Sequence, residues 1–133
     1  MQTNGRRAVV ASMQDEVLDG DGVAILDQAT VAQLRAMLTP TQRAELLDTF
    51  VLQHEHCIES LADALHRSDQ PAIARLAHIL KGSSAGLGAT RLSLACEQIE
   101  CGRMMDPDVG ETQVARLRAI AGVTSDALRR VLT

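Results

Sequence analysis

The chain has 133 residues, 46% hydrophobic and 23% charged, the balance of one ordinary globular domain. With one phenylalanine, no tryptophan or tyrosine, and a net charge of -4, it lacks both the stacking platforms and the basic surface that nucleic-acid binding uses. No apolar run approaches the roughly 18 residues of a membrane-spanning helix, and few aromatics or β-branched runs favour helix over sheet.

Residues 1–23 show no sustained period and read as a flexible tail, leaving 24–133 as the folded domain. The apolar run from Ala8 to Ala11 is too short for a signal-peptide core, and acids follow it closely. A short helix is predicted from about Asp27 to Leu38, with Val31, Leu34, Met37 and Leu38 as its apolar face. In Thr39-Pro40-Thr41-Gln42, threonine can cap, proline suits the first helical position, and glutamine completes a capping box. The helix that follows runs to about Arg67 on a stripe of Leu47, Phe50, Val51, His54, Cys57, Ile58, Leu61 and Leu65.

Ser68-Asp69-Gln70-Pro71 stops that helix and starts another. The new one buries Ile73, Leu76, Ala77, Leu80 and Ser84, and ends at Gly86-Leu87-Gly88, where glycine can take positive φ. A fourth stripe is Leu92, Ala95, Cys96 and Ile99, broken by Asp106-Pro107-Asp108. Asp108 with Glu111 resembles a capping pair for a last helix, which presents Val114, Leu117, Ile120, Thr124, Leu128 and Val131. Gly122 is its weak point, because an interior glycine costs about 1 kcal/mol relative to alanine. The expected fold is all-α: an antiparallel up-down-up-down four-helix bundle with a short extra N-terminal capping helix.

The informative residue is His78. At about 100° per residue, Ile73, Leu76, Ala77 and Ser84 lie within about 60° of Leu80, whereas His78 lies roughly 160° away. Its imidazole therefore faces out, among Pro71, Ala74, Arg75, Lys81, Gly82 and Ala85, which are mostly small. Glycine at 82 has no local benefit in a helix, and close approach by another molecule would explain it. Residues 71–91 hold Arg75, Lys81, Arg91 and no acid, a charge of +3 that leaves -7 for the rest of the chain. Such a patch suits an anionic group or an acidic partner.

An exposed histidine with a free nitrogen is a nucleophile near neutral pH. Lys81 can stabilise a phosphoryl group on the ring. Glu100, flanking the buried stripe at Ile99 on the returning helix, can hold the other ring nitrogen as N–H. Rotation alone favours an idle surface histidine; the small-residue face and isolated basic patch bring the functional reading level with it.

Other residues carry less. His54 and His56 point about 200° apart and cannot share a metal, and His54 with Cys57 supplies only two ligands, so packing is expected instead. No metal site is predicted. His66 reads as a solvated helix-end residue. The three cysteines, Cys57, Cys96 and Cys101, read as reduced thiols of a cytoplasmic protein, the first two in packing roles. Lys81-Gly82-Ser83-Ser84 lacks the residue order of a nucleotide-binding loop, and no kinase motif or hydrolase triad is present. Ser83 reads as a surface residue and Ser84 as a small core residue.

The stretch Leu76-Ala77-His78-Ile79-Leu80-Lys81-Gly82-Ser83-Ser84-Ala85-Gly86-Leu87-Gly88-Ala89 closely resembles the signature of histidine-containing phosphotransfer (HPt) domains of two-component phosphorelays. The similarity continues through Leu92, Cys96 and Glu100, and the helix layout extends it over 24–132. The resemblance implies that His78 takes a phosphoryl group from a receiver-domain aspartate and passes it to another receiver. Lys81 matches the family's basic residue, and Gly82 the small residue that lets the receiver approach. Glu100 follows His78 by 22 positions, the spacing of a ring-bonding glutamate in the related phosphoacceptor domain of chemotaxis kinases.

On this reading the chain is a phosphocarrier and not an enzyme. It binds no cofactor itself, and Mg²⁺ belongs to the partner receiver. The docking strip is Ala74, Arg75, Gly82, Ser83 and Ala85. The partners are receiver domains of response regulators or hybrid sensor kinases, met by a cytoplasmic monomer without nucleic acid or membrane. The alternative is a non-transferring adaptor or inhibitor that docks a kinase or receiver through the same face. A third option, the phosphoacceptor part of a chemotaxis-type kinase, is weakened by the absence of a kinase domain. Met1 and the unpatterned start favour a free-standing protein over the excised end of a hybrid kinase.

Overall fold

The structure, a computed structural model, describes residues 24–102 and 107–133; the tail expected over 1–23 lies outside them. Among the described residues there are five α-helices and no β-strand. They are α1 (Gln28–Met37), α2 (Pro40–His66), α3 (Gln70–Gly86), α4 (Thr90–Cys101) and α5 (Pro107–Leu132). No helix among the described residues is long and apolar enough to cross a membrane.

Local chemistry starts and stops these helices. Asp27 caps α1 by accepting from the Ala29 amide, and its own amide donates to the Gly88 carbonyl at 2.7 Å. That bond ties the start of α1 to the α3–α4 turn. The Thr39–Gln42 capping box is formed in both directions, at 3.1 and 2.9 Å. α2 stops where Ser68 takes φ of 52°, and Asp69 caps α3 by accepting from the Ala72 amide. Of the glycines expected to turn the chain after α3, Gly88 does so, with φ of 76°. A Cβ on it would sit 3.0 Å from Thr30 Cβ and 3.2 Å from the Asp27 carbonyl, so glycine is required twice over. Gly86 remains helical.

Two local expectations are corrected. Met37 is 75% exposed, because each step of three residues falls about 60° short of a full turn and carries it off the face set by Val31. Asp108 cannot cap α5, because the helix already begins at Pro107. The proline thus takes the first helical position, where its missing N–H costs nothing.

α2 to α5 form the bundle. Each packs on its neighbours in sequence, α5 closes against α2, and α1 rests on α5 and α2. Short turns between packed neighbours make the helices alternate in direction. The core is Leu47, Phe50, Ile58 and Leu61 from α2, Ile73, Ala77 and Leu80 from α3, Leu92, Ala95, Cys96 and Ile99 from α4, and Leu117, Ile120 and Leu128 from α5. Val51, Cys57, Leu65, Leu76 and Val131 sit at its edge, half-buried. Cys96 behaves as a small hydrophobe, its thiol pushed up to about 12 chiefly by burial. All three cysteines are free, and Cys101 is exposed.

His54 is a core residue, as its place in the stripe predicts, buried and 4.3 Å from the Phe50 ring centre. The Ser84 hydroxyl commits its proton to the Leu80 carbonyl at 2.7 Å, so His54 Nε2–H donates to the Ser84 oxygen at 3.3 Å. Ser84 is therefore a linking group between α2 and α3, beyond the small core residue expected there. Cys57 bonds instead to the Leu76 carbonyl, so it and His54 serve different partners.

Burial lowers the His54 pKa from 6.5 to about 4. Above pH 6.5 the ring is neutral folded or unfolded, and this site contributes its full stability. As pH falls toward 4 the unfolded chain takes up a proton that the folded chain refuses, and stability is lost. The difference amounts to roughly 3 kcal/mol across that window. Urea unfolding midpoints should fall accordingly, and His54→Gln, which retains a donor for Ser84, should flatten the decline. An equally steep decline in the variant would assign the acid sensitivity to other groups.

Candidate functional site

The site is built on the solvent face of α3 and on the neighbouring face of α4. Asp69 fixes the start of α3, and Ala77 and Leu80 bury its inner face. His78 consequently faces outward, with 67% of its side chain exposed, as rotation predicts. Its Nδ1 lies 2.7 Å from Glu100 Oε2, and Lys81 Nζ lies 2.7 Å from Glu100 Oε1. One carboxylate from α4 thus meets two side chains one turn apart on α3.

The charges support one another. The Lys81 ammonium chiefly holds the Glu100 carboxyl below its usual range; desolvation opposes it, and the His78 ring adds a lesser lowering effect. Glu100 in turn raises Lys81. The carboxylate is an acceptor only, so the neutral ring carries its hydrogen on Nδ1 and keeps its lone pair on Nε2. That nitrogen is directed away from Glu100, on an exposed ring.

Glu100 also changes the electrostatic picture drawn from residues 71–91 alone. It brings a negative charge between His78 and Lys81, so the patch is a paired network and not an uninterrupted basic strip. Of the expected docking residues, Arg75, Gly82, Ser83 and Ala85 are exposed and Ala74 is half-buried. A Cβ built on Gly82 meets nothing within 4 Å. Nothing inside the bundle requires glycine there.

Two features of this face were missed by periodicity. Ile79, next to His78, is 53% exposed and adds an apolar surface. Ser93 on α4 donates its hydroxyl to the Lys81 carbonyl at 3.3 Å. The signal for Ser93 was its seven-residue spacing from Glu100, which places both on one helix face.

The Hpt domain family model matches residues 45–130, which include the network and most of the bundle. The chain belongs to the Hpt domain family. It is also similar to a solved structure, the histidine-containing phosphotransfer protein B (HptB) of Pseudomonas aeruginosa PAO1. That match has 27% identity and a TM-score of 0.66, and covers 80% of this chain and 92% of the other. No curated protein matches the chain. Family and fold together give it a phosphotransfer role in two-component systems, as a phosphocarrier working with their receiver and kinase domains.

Proposed function

We propose that His78 is the phosphoacceptor of a relay, taking the group from an aspartyl phosphate on one receiver domain and passing it to the aspartate of another. The observation that carries this reading is the 2.7 Å contact between His78 Nδ1 and Glu100 on an otherwise exposed ring. It leaves Nε2 as the nucleophile. Attack by its lone pair forms the N–P bond as the P–O bond to the receiver carboxylate breaks, and the electron pair leaves on that carboxylate. No proton need move. The ring becomes a phosphorylated imidazolium that keeps its Nδ1–H, and the Glu100 carboxylate stabilises the new positive charge. Reversal toward a second receiver follows the same path. Mg²⁺ and the rest of the charge neutralisation come from the receiver.

Lys81 serves this step from a short distance. Its ammonium rests on Glu100 and is close enough in sequence and space to turn toward phosphoryl oxygens once they arrive. The receiver docks over Ala74, Arg75, Gly82, Ser83 and Ala85. An adaptor that merely bound a kinase or receiver would have no use for a fixed ring tautomer, so the Glu100 contact favours transfer.

The test is transfer from a panel of phosphorylated receiver domains, with rates compared at short times. Uptake by the wild type is expected from at least one receiver. Glu100→Ala should slow it roughly 10- to 100-fold, the worth of a charge-assisted hydrogen bond, with Glu100→Gln intermediate. Binding without uptake would support the adaptor reading instead.

A further inference from the structure

We infer that Ser93 is a positioning residue for the phosphoacceptor network, holding α4 at the height on α3 where Glu100 reaches His78 and Lys81 together. The inference rests on the reading of His78 given above. α4 meets Lys81 twice: Ser93 bonds its backbone carbonyl at 3.3 Å, and Glu100 pairs with its ammonium at 2.7 Å. Seven residues, close to two helical turns, separate the two contacts. Lys81, Ser93, the intervening turns of α4 and Glu100 therefore form a closed loop around one residue of α3.

At the turn the Ala89 amide donates to the Ser84 carbonyl at 2.9 Å and anchors the first residues of α4, and Ser93 lies one turn further along, on the way to Glu100. Leu92, Ala95, Cys96 and Ile99 bury α4 through apolar packing, which tolerates small axial slips better than a hydrogen bond does. The N-cap of α4, Ala89, offers no side-chain hydrogen bond. Arg116 ties Gln98 to α5 at 3.1 Å, but that bond does not set the height of α4 on α3. The loop turns a modest contact two turns from the chemistry into the placement of the carboxylate that selects the ring tautomer.

Ser93→Ala removes the hydroxyl and should leave helical circular dichroism unchanged. Two readouts then report on the ring. In histidine-¹⁵N-labelled protein, His78 of the wild type should show a protonated Nδ1 and an unprotonated Nε2, and Ser93→Ala should shift the ring toward a tautomer mixture. Phosphorylation by phosphoramidate, a donor too small to need docking, should slow roughly three- to ten-fold, in line with losing one intramolecular hydrogen bond. Ser93→Thr keeps the hydroxyl at a half-buried position that borders an open groove with Ala85, Gly88 and Leu94, and it should restore both signals. An unchanged tautomer and rate in Ser93→Ala would overturn the inference, as would a loss that Ser93→Thr does not repair. The tautomer measurement needs no phosphoryl transfer, so failure of wild-type His78 to take up phosphate would count against the relay while the ring spectra still decide the role of Ser93.

Discussion

His78→Gln is expected to abolish phosphoryl uptake while the bundle stays folded. The His78 side chain is 67% exposed, so its loss opens no cavity. Its bond to Glu100 is a solvent-screened surface pair, and such pairs add little to stability. Glutamine is a better helix former than histidine, which offsets part of that. Circular dichroism and the melting temperature should therefore move little. Chemically the replacement is complete: an amide nitrogen has no available lone pair to attack phosphorus. Uptake should fall to background from phosphorylated receivers and from phosphoramidate alike. Retained labelling in the variant would falsify the assignment of His78.

The second large effect is expected at Gly82, and it separates docking from chemistry. Gly82 lies one turn beyond His78 on the exposed face, and a Cβ there meets nothing within 4 Å. Inside the protein a larger residue costs nothing, and relief of the glycine penalty should add up to about 1 kcal/mol of stability. A receiver that brings its aspartate to Nε2 must, however, pass over this position. Gly82→Gln adds bulk alone, whereas Gly82→Glu adds bulk and a charge facing an anionic partner. Transfer from receivers should fall, by about 100-fold or more for the glutamate, since like charges brought together at an interface cost several kcal/mol. Phosphoramidate labelling should persist in both variants. Undiminished transfer from receivers would mean that docking uses another face.

These two residues were legible because rotation about a helix is a one-dimensional property. Counting from Leu80 is enough to turn His78 outward and to notice that Gly82 shares its exposed face. Punctuation was equally plain at Thr39–Gln42, at Asp69 and at Gly88, where side-chain chemistry within a few residues decides the backbone. Glu100 was within reach too, because an antiparallel return brings the outer edge of the fourth stripe beside His78.

Contacts that depend on which atoms meet were less accessible. The period of α3 assigns Lys81 to a basic patch, but only the packing of α4 reveals that its ammonium already rests on a carboxylate. His54 follows a core stripe, yet the use of its Nε2–H is set by Ser84, thirty residues away on another helix. Met37 shows the opposite failure, where a three-residue spacing extended too far carries a residue off the buried face. Ile79 lies about 100° from Leu80, at the margin of the stripe, where rotation gives the direction but only the packing of neighbours decides exposure.

The most direct test of the account is the position of the phosphoryl group. Wild-type protein should be labelled from a phosphorylated receiver, digested without exposure to acid, and analysed by mass spectrometry with ³¹P NMR of the intact protein in parallel. A single N-phosphohistidine at His78 is expected, bonded through Nε2, whose phosphate disappears when a second, unphosphorylated receiver is added. Label on any other residue, attachment through Nδ1, or phosphate at His78 that no receiver can remove would contradict it.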